Sequence, residues 1–114
     1  MSAQLDIDFA RAARDDGIRR AVDHAEADAP GWSEQAYDFL VQYATQNECF
    51  QIWMVNQASK KSIPIPENEK AWAGPTRRAL RAGIMVKAGF APNPRRHATD
   101  APVYRSMLFG KVVG

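Results

Sequence analysis

The sequence predicts a mainly α fold with a small β-hairpin (α+β), arranged as a winged helix-turn-helix with an extra N-terminal helix. Three observations carry that expectation. Apolar residues recur at helical spacing over much of residues 16–60. A helix bearing Arg77, Arg78 and Arg81 then ends at Gly83. It is followed by a short apolar stretch, a basic loop rich in proline and a second stretch of alternating residues, the order of elements in the back half of a winged helix.

The 114 residues suit one domain, with residues 15–109 as a single winged-helix-like unit, residues 1–14 as a flexible segment and 110–114 as a tail. Hydrophobic residues make up 46% and charged residues 25%, which is ordinary for a globular chain. No apolar run approaches the ~20 residues of a membrane helix. The first residues lack the basic and apolar regions of a secretory signal. The single Cys49 excludes an internal disulfide and a multi-thiolate metal site, and beside Phe50 it reads as a small packed side chain.

Taken in order, Asp15-Asp16-Gly17 suggests a break and restart, with a carboxylate capping a helix over 16–28 that turns Ile18, Ala21, Val22 and Ala25 inward. Ala29-Pro30-Gly31 ends it. Ser33 as N-cap, Glu34 in the first turn and Trp32 as a staple predict a helix over 33–46, with Ala36, Phe39, Leu40, Tyr43 and Ala44 on one face. Phe50 to Val55 fits a strand or the start of a helix that ends near Lys60, with length favouring helix. Ile63-Pro64-Ile65-Pro66 is an extended connector. In the next helix, measured from Trp72, Thr76, Ala79 and Gly83 fall at about 40°, 340° and 20°, whereas Arg77, Arg81 and Arg78 fall at about 140°, 180° and 240°. The arginines therefore oppose a small apolar face. Pro75 requires the regular helix to begin near Gly74 or to kink there. Residues 84–86 form a strand, 89–101 a loop, and 102–108 the returning strand.

Charge is unevenly spread behind a net of +2. Residues 1–34 hold eight acids against four arginines, and 60–96 hold nine bases against Glu67 and Glu69. A basic C-terminal half argues for a polyanionic partner, with the acidic segment turned away from it. The expected interface has Arg77, Arg78 and Arg81 in or beside the major groove, Lys70 and Thr76 at its edge, and Lys87, Arg95, Arg96 and His97 on phosphates from the wing. The partner is double-stranded DNA, with the acidic helix packed behind or pairing two copies. The alternative is a module that binds a host or phage protein. Catalysis finds little support. The only histidines are His24 and His97, no clustered Cys/His set exists, and Pro66-Glu67-Asn68-Glu69-Lys70 lacks the spacing of a nuclease carboxylate–lysine motif. The expectation is no enzyme, no cofactor and no metal.

The segments Ala71-Trp72-Ala73-Gly74, Arg77-Arg78-Ala79, Gly83-Ile84, Gly89-Phe90, His97-Ala98 and Pro102-Val103-Tyr104-Arg105 resemble a family of small phage and prophage proteins with a winged-helix-like domain, mostly of unassigned role. Gly17-Ile18 and the Trp32 helix also fit, so the resemblance spans residues 17–107. The chain departs from that pattern at Ala73, where glycine is usual, at Tyr104, where tryptophan is usual, and at Pro75. The resemblance implies a phage or prophage origin, the cytoplasm of a bacterial host and work on nucleic acid.

Overall fold

The computed structural model describes the backbone of residues 3–94 and 99–111 and the side chains from residue 10 onward in those ranges. The element order is α1 (Ala3–Asp28), α2 (Trp32–Gln46), β1 (Cys49–Phe50), α3 (Ile52–Ser59), a 3-10 turn (Glu69–Trp72), α4 (Ala73–Arg81), β2 (Met85–Pro92) and β3 (Asp100–Ser106). Among the described residues, four helices and an antiparallel three-stranded sheet of order β1-β3-β2 make an α+β fold. Among the described residues, no helix is long and apolar enough to cross a membrane.

Helix α1 does not restart at Asp15-Asp16. It runs through Gly17 as one 26-residue helix. Glycine costs about 1 kcal/mol relative to alanine inside a helix. Alanines and arginines on either side favour the helical state, and Asp16 bonds Arg19 and Arg20 one turn on at 2.8 and 2.9 Å. The face of Ala21 and Ala25 is buried as the spacing requires.

The start of α2 also differs from expectation. Its N-cap is Gly31, at φ 86°, and Trp32 is already helical. Ser33 Oγ is buried and makes no hydrogen bond to the helix backbone among the described residues. The capping acceptor comes from α1 instead: Glu26 accepts the backbone N–H groups of Ser33 at 2.7 Å and Gly31 at 3.0 Å. Those two bonds hold the Glu26 carboxyl below its ordinary value, with Ser33 the larger cause.

Phe50–Val55 resolves into both alternatives, a two-residue strand and then a helix. Cys49 is exposed on β1 rather than packed, because the strand alternates and Phe50 takes the inward position. The 3-10 turn before α4 accommodates Pro75, which falls in the first turn of α4 and needs no kink. At the other end, Gly83 at φ 75° closes a Schellman motif. Gly83 N–H donates to Leu80 O and Ile84 N–H donates to Ala79 O, each at 3.2 Å.

The predicted loop over 89–101 is largely strand. Pairing extends to Pro92 opposite Asp100, with a register shift between Lys87 and Gly89 where Gly89 adopts φ 136°. Proline is tolerated because β2 is an edge strand, and β1 pairs β3 only at Tyr104 and Arg105, beyond Pro102. Gln51, 3% exposed, ties the hairpin to the helices. Its amide donates to Ala91 O and Ala101 O at 2.9 and 3.0 Å, and its oxygen accepts Trp53 Nε1–H at 2.6 Å.

The core joins α1, α2, α3 and α4 through Trp32 and Trp72, both fully buried, with rings edge to face at 5.5 Å. Each indole N–H is satisfied: Trp32 donates to Pro64 O at 3.0 Å and Trp72 to Asn56 Oδ1 at 2.8 Å. Asn56 in turn donates to Glu69 Oε1 at 3.0 Å. Phe39, Tyr43 and Trp53 are only half-buried at the edge of this core.

Candidate nucleic-acid interface

Pro75, Thr76 and Ala79 form the buried face of α4, and Arg77, Arg78 and Arg81 are exposed. The angular assignment from sequence thus holds for Thr76 and Ala79 against the three arginines, whereas Gly83, assigned to the same apolar face, is exposed beyond the end of the helix. Thr76 is the exception among the proposed contact residues. It is 6% exposed, and its hydroxyl donates to Trp72 O at 2.7 Å, which removes it from the accessible set.

The surroundings of the arginines differ from expectation. Arg77 donates to Asp15 at 2.8 Å, and Arg78 donates to Glu34 at 2.7 Å while its guanidinium lies 3.9 Å from the Tyr37 ring centroid. The bond from Arg77 holds Asp15 below its ordinary value. A Cβ placed on Gly74 would lie 3.1 Å from Val22 Cγ2 of α1. Gly74 and Arg81 share one row of α4, since seven residues are close to two turns. Helix α1 therefore covers the N-terminal end of the arginine face and leaves Arg81 beyond it. The acidic N-terminal segment is not turned away from the basic helix: its Asp15, with Glu34 of α2, neutralises two of the three arginines.

The hairpin lies on the other side of α4. A cleft of about 220 Å³ is lined by Trp72 and Thr76 together with Trp53, Asn93, Pro102 and Tyr104. Trp72 and Thr76 point opposite to the arginines, so the hairpin base and the arginine face are not adjacent. Lys87 is exposed on β2, its Nζ 6.0 Å from the Phe90 ring centroid. Val86 and Phe90 are also exposed, at 37% and 65%. Arg105, which sequence reasoning did not select, is exposed between Cys49 and Val86 in the sheet register. Its signal was the alternation of β3, in which Tyr104 and Ser106 are buried. Arg95, Arg96 and His97 lie outside the described residues. Lys70, Arg81, Lys87 and Arg105 form no ion pair among the described residues.

A second cluster was not anticipated. His24 Nε2 lies 2.5 Å from Glu67 Oε2 and 3.2 Å from Asp28 Oδ2. The hydrogen bond to Glu67, and then the Asp28 charge, raise the imidazole above its ordinary 6.5. His24 and Asp28 share a helix face at i, i+4, which the sequence displays; Glu67 comes from the connector 43 residues away, which it does not.

Compared with known proteins, the chain matches no family model, and no curated protein and no solved structure is significantly similar to it.

Proposed function

We propose that the chain is a non-enzymatic, winged-helix nucleic-acid-binding protein that grips the phosphates of a DNA duplex rather than reading its bases. The observation that carries this reading is the run of residues 71–99, which contains no acid and joins α4 directly to the hairpin. The chain order α2, β1, α3, α4, β2, β3 and the strand order β1-β3-β2 support a winged helix in which α4 is the third helix and the hairpin is the wing. Recognition helices of this kind use their N-terminal residues on base edges. Here that end lies under α1, beside Gly74 and Val22. On this reading Lys70, Arg81, Lys87 and Arg105, which form no ion pair among the described residues, contact phosphate. Arg95, Arg96 and His97, outside the described residues, are assigned to phosphate from the sequence alone. Arg77 and Arg78 reach phosphate by exchanging the Asp15 and Glu34 carboxylates for it. A phage or prophage source fits this role through the family resemblance.

A duplex of random sequence, followed by fluorescence anisotropy across salt concentrations, tests the reading. Binding at low salt is expected, and replacing Arg95 and Arg96 by Ala flattens the log–log salt dependence by up to ~2. No binding to any duplex at low salt refutes it.

One observation favours a second reading. An α1 helix already seated on the arginine face suits a protein-interaction module that presents exposed Val86 and Phe90 on an edge strand to a protein partner. Retention of a protein partner by a chain that binds no duplex is its signature.

A further inference from the structure

Outside the basic elements, one set of side chains has the composition and placement of a cation site. We infer that His24, Asp28 and Glu67 form a site for a first-row divalent transition ion such as zinc, linking the end of α1 to the connector before the 3-10 turn. One ligand atom from each of the three residues lies within 4.8 Å of the other two. Zinc bonds to imidazole nitrogen and carboxylate oxygen are about 2.0–2.2 Å, which separates tetrahedral ligand atoms by roughly 3.4 Å. The present separations of 2.5 and 3.2 Å are those of directly bonded groups, and an ion takes the place of the His24–Glu67 hydrogen bond once rotations of these exposed side chains open that pair by about 0.9 Å.

The surroundings favour a cation. Two carboxylates converge on one imidazole, and the last turn of α1 holds no basic residue to offset its terminal carbonyls. Among the described residues, Arg20 and Lys70 are the lysine and arginine side chains that line the adjoining depression of about 790 Å³. Arg20 is held by Asp16 at 2.9 Å, so Lys70 is the one nearby positive charge without an ion pair among the described residues. The same depression exposes His24 and Glu67 and leaves space for water at the remaining coordination position. The imidazole ligand selects zinc-like ions over magnesium and calcium, which prefer oxygen-only sets.

This inference is independent of the nucleic-acid reading, because none of the three ligands is assigned to DNA. It is tested by calorimetric titration of the full chain with zinc chloride, and by following the His24 imidazole signal in NMR spectra. One zinc per chain is expected, displacing the His24 signal and raising the thermal midpoint, since ligand binding to the folded state stabilises it. His24→Gln and Glu67→Gln each weaken binding by about tenfold or more, because losing a ligand costs at least as much as losing an outer partner. His97→Gln leaves it unchanged. All the substituted ligands are exposed, and circular dichroism checks that the variants remain folded. Absence of zinc binding, binding that survives Glu67→Gln, or equal losses in His97→Gln and His24→Gln overturns the assignment.

Discussion

The double substitution Asp15→Asn, Glu34→Gln isolates the contest between acid and phosphate for the arginine helix. Each acid holds one guanidinium, Asp15 on Arg77 at 2.8 Å and Glu34 on Arg78 at 2.7 Å. In the native chain each of these guanidinium groups already faces a carboxylate, so the counterions released per contact are fewer than the count of arginines suggests. The double variant frees both guanidinium groups and changes the formal net charge from +2 to +4. If both then contact phosphate, Z rises by two, and the slope of log Kobs against log[salt] steepens by up to ~1.8 on B-DNA. Affinity rises at low salt and converges on that of the native chain as salt increases, because screening weakens the new contacts. Anisotropy with one random duplex at several salt concentrations gives both quantities. Arg77→Ala combined with Arg78→Ala, in the same background, should abolish the steepening. A slope that does not change, or an affinity that falls at every salt concentration, refutes the idea that this face of α4 meets nucleic acid.

Two further outcomes follow from the core and the helix junction. Asn56→Ala leaves the Trp72 indole N–H without its 2.8 Å acceptor in a fully buried position, so chemical denaturation should show a loss of about 1–3 kcal/mol for the unsatisfied donor. A loss within error would mean that water reaches the indole. Glu26 is stabilised as a carboxylate by two backbone N–H groups, so its contribution is complete above its unfolded value of 4.5 and is lost as pH falls through the lower folded value. Glu26→Gln should therefore reduce stability at neutral pH and make the acid side of the stability profile shallower; a profile parallel to that of the native chain would show that the α1–α2 junction does not depend on this charge.

Local chemistry was legible where neighbours along the chain decide the conformation. Gly83 announced the end of α4, and the structure completes it as a Schellman motif. Ala36, Leu40 and Ala44 announced the inner face of α2. The errors arose where a distant group replaced a local one. Ser33 has the chemistry of an N-cap, but Glu26 supplies the acceptor from the preceding helix, so α2 begins earlier. Gly89 and Pro92 have the composition of a loop, yet cross-strand pairing and the Gln51 clamp extend the hairpin through them. Gln51 could not be identified from its spacing, because its acceptors lie 40 and 50 residues onward.

The candidate site shows the same division and gives it a functional consequence. An angular count is a statement about one helix, and for α4 it placed the arginines opposite the buried residues. Whether an exposed face is available depends on what else packs there, and Asp15 is 62 residues from Arg77. Segment charges suggested that the acidic N-terminal part would lie far from the basic helix, as separate surfaces for partner and solvent would require. Opposite charges attract within a chain as well as between chains, and an exposed pair of this kind is worth little to stability. If the proposed nucleic-acid contact is made, its greater effect is on competition: the incoming polyanion must outcompete Asp15 and Glu34 for Arg77 and Arg78. A flexible single carboxylate is displaced more readily by the dense charge of a duplex than by an isolated acidic side chain. On the proposed reading, the same α1 helix that covers the N-terminal end of α4 favours dense polyanions over single anions, because Arg81 is open to phosphate at once whereas Arg77 and Arg78 must first give up Asp15 and Glu34.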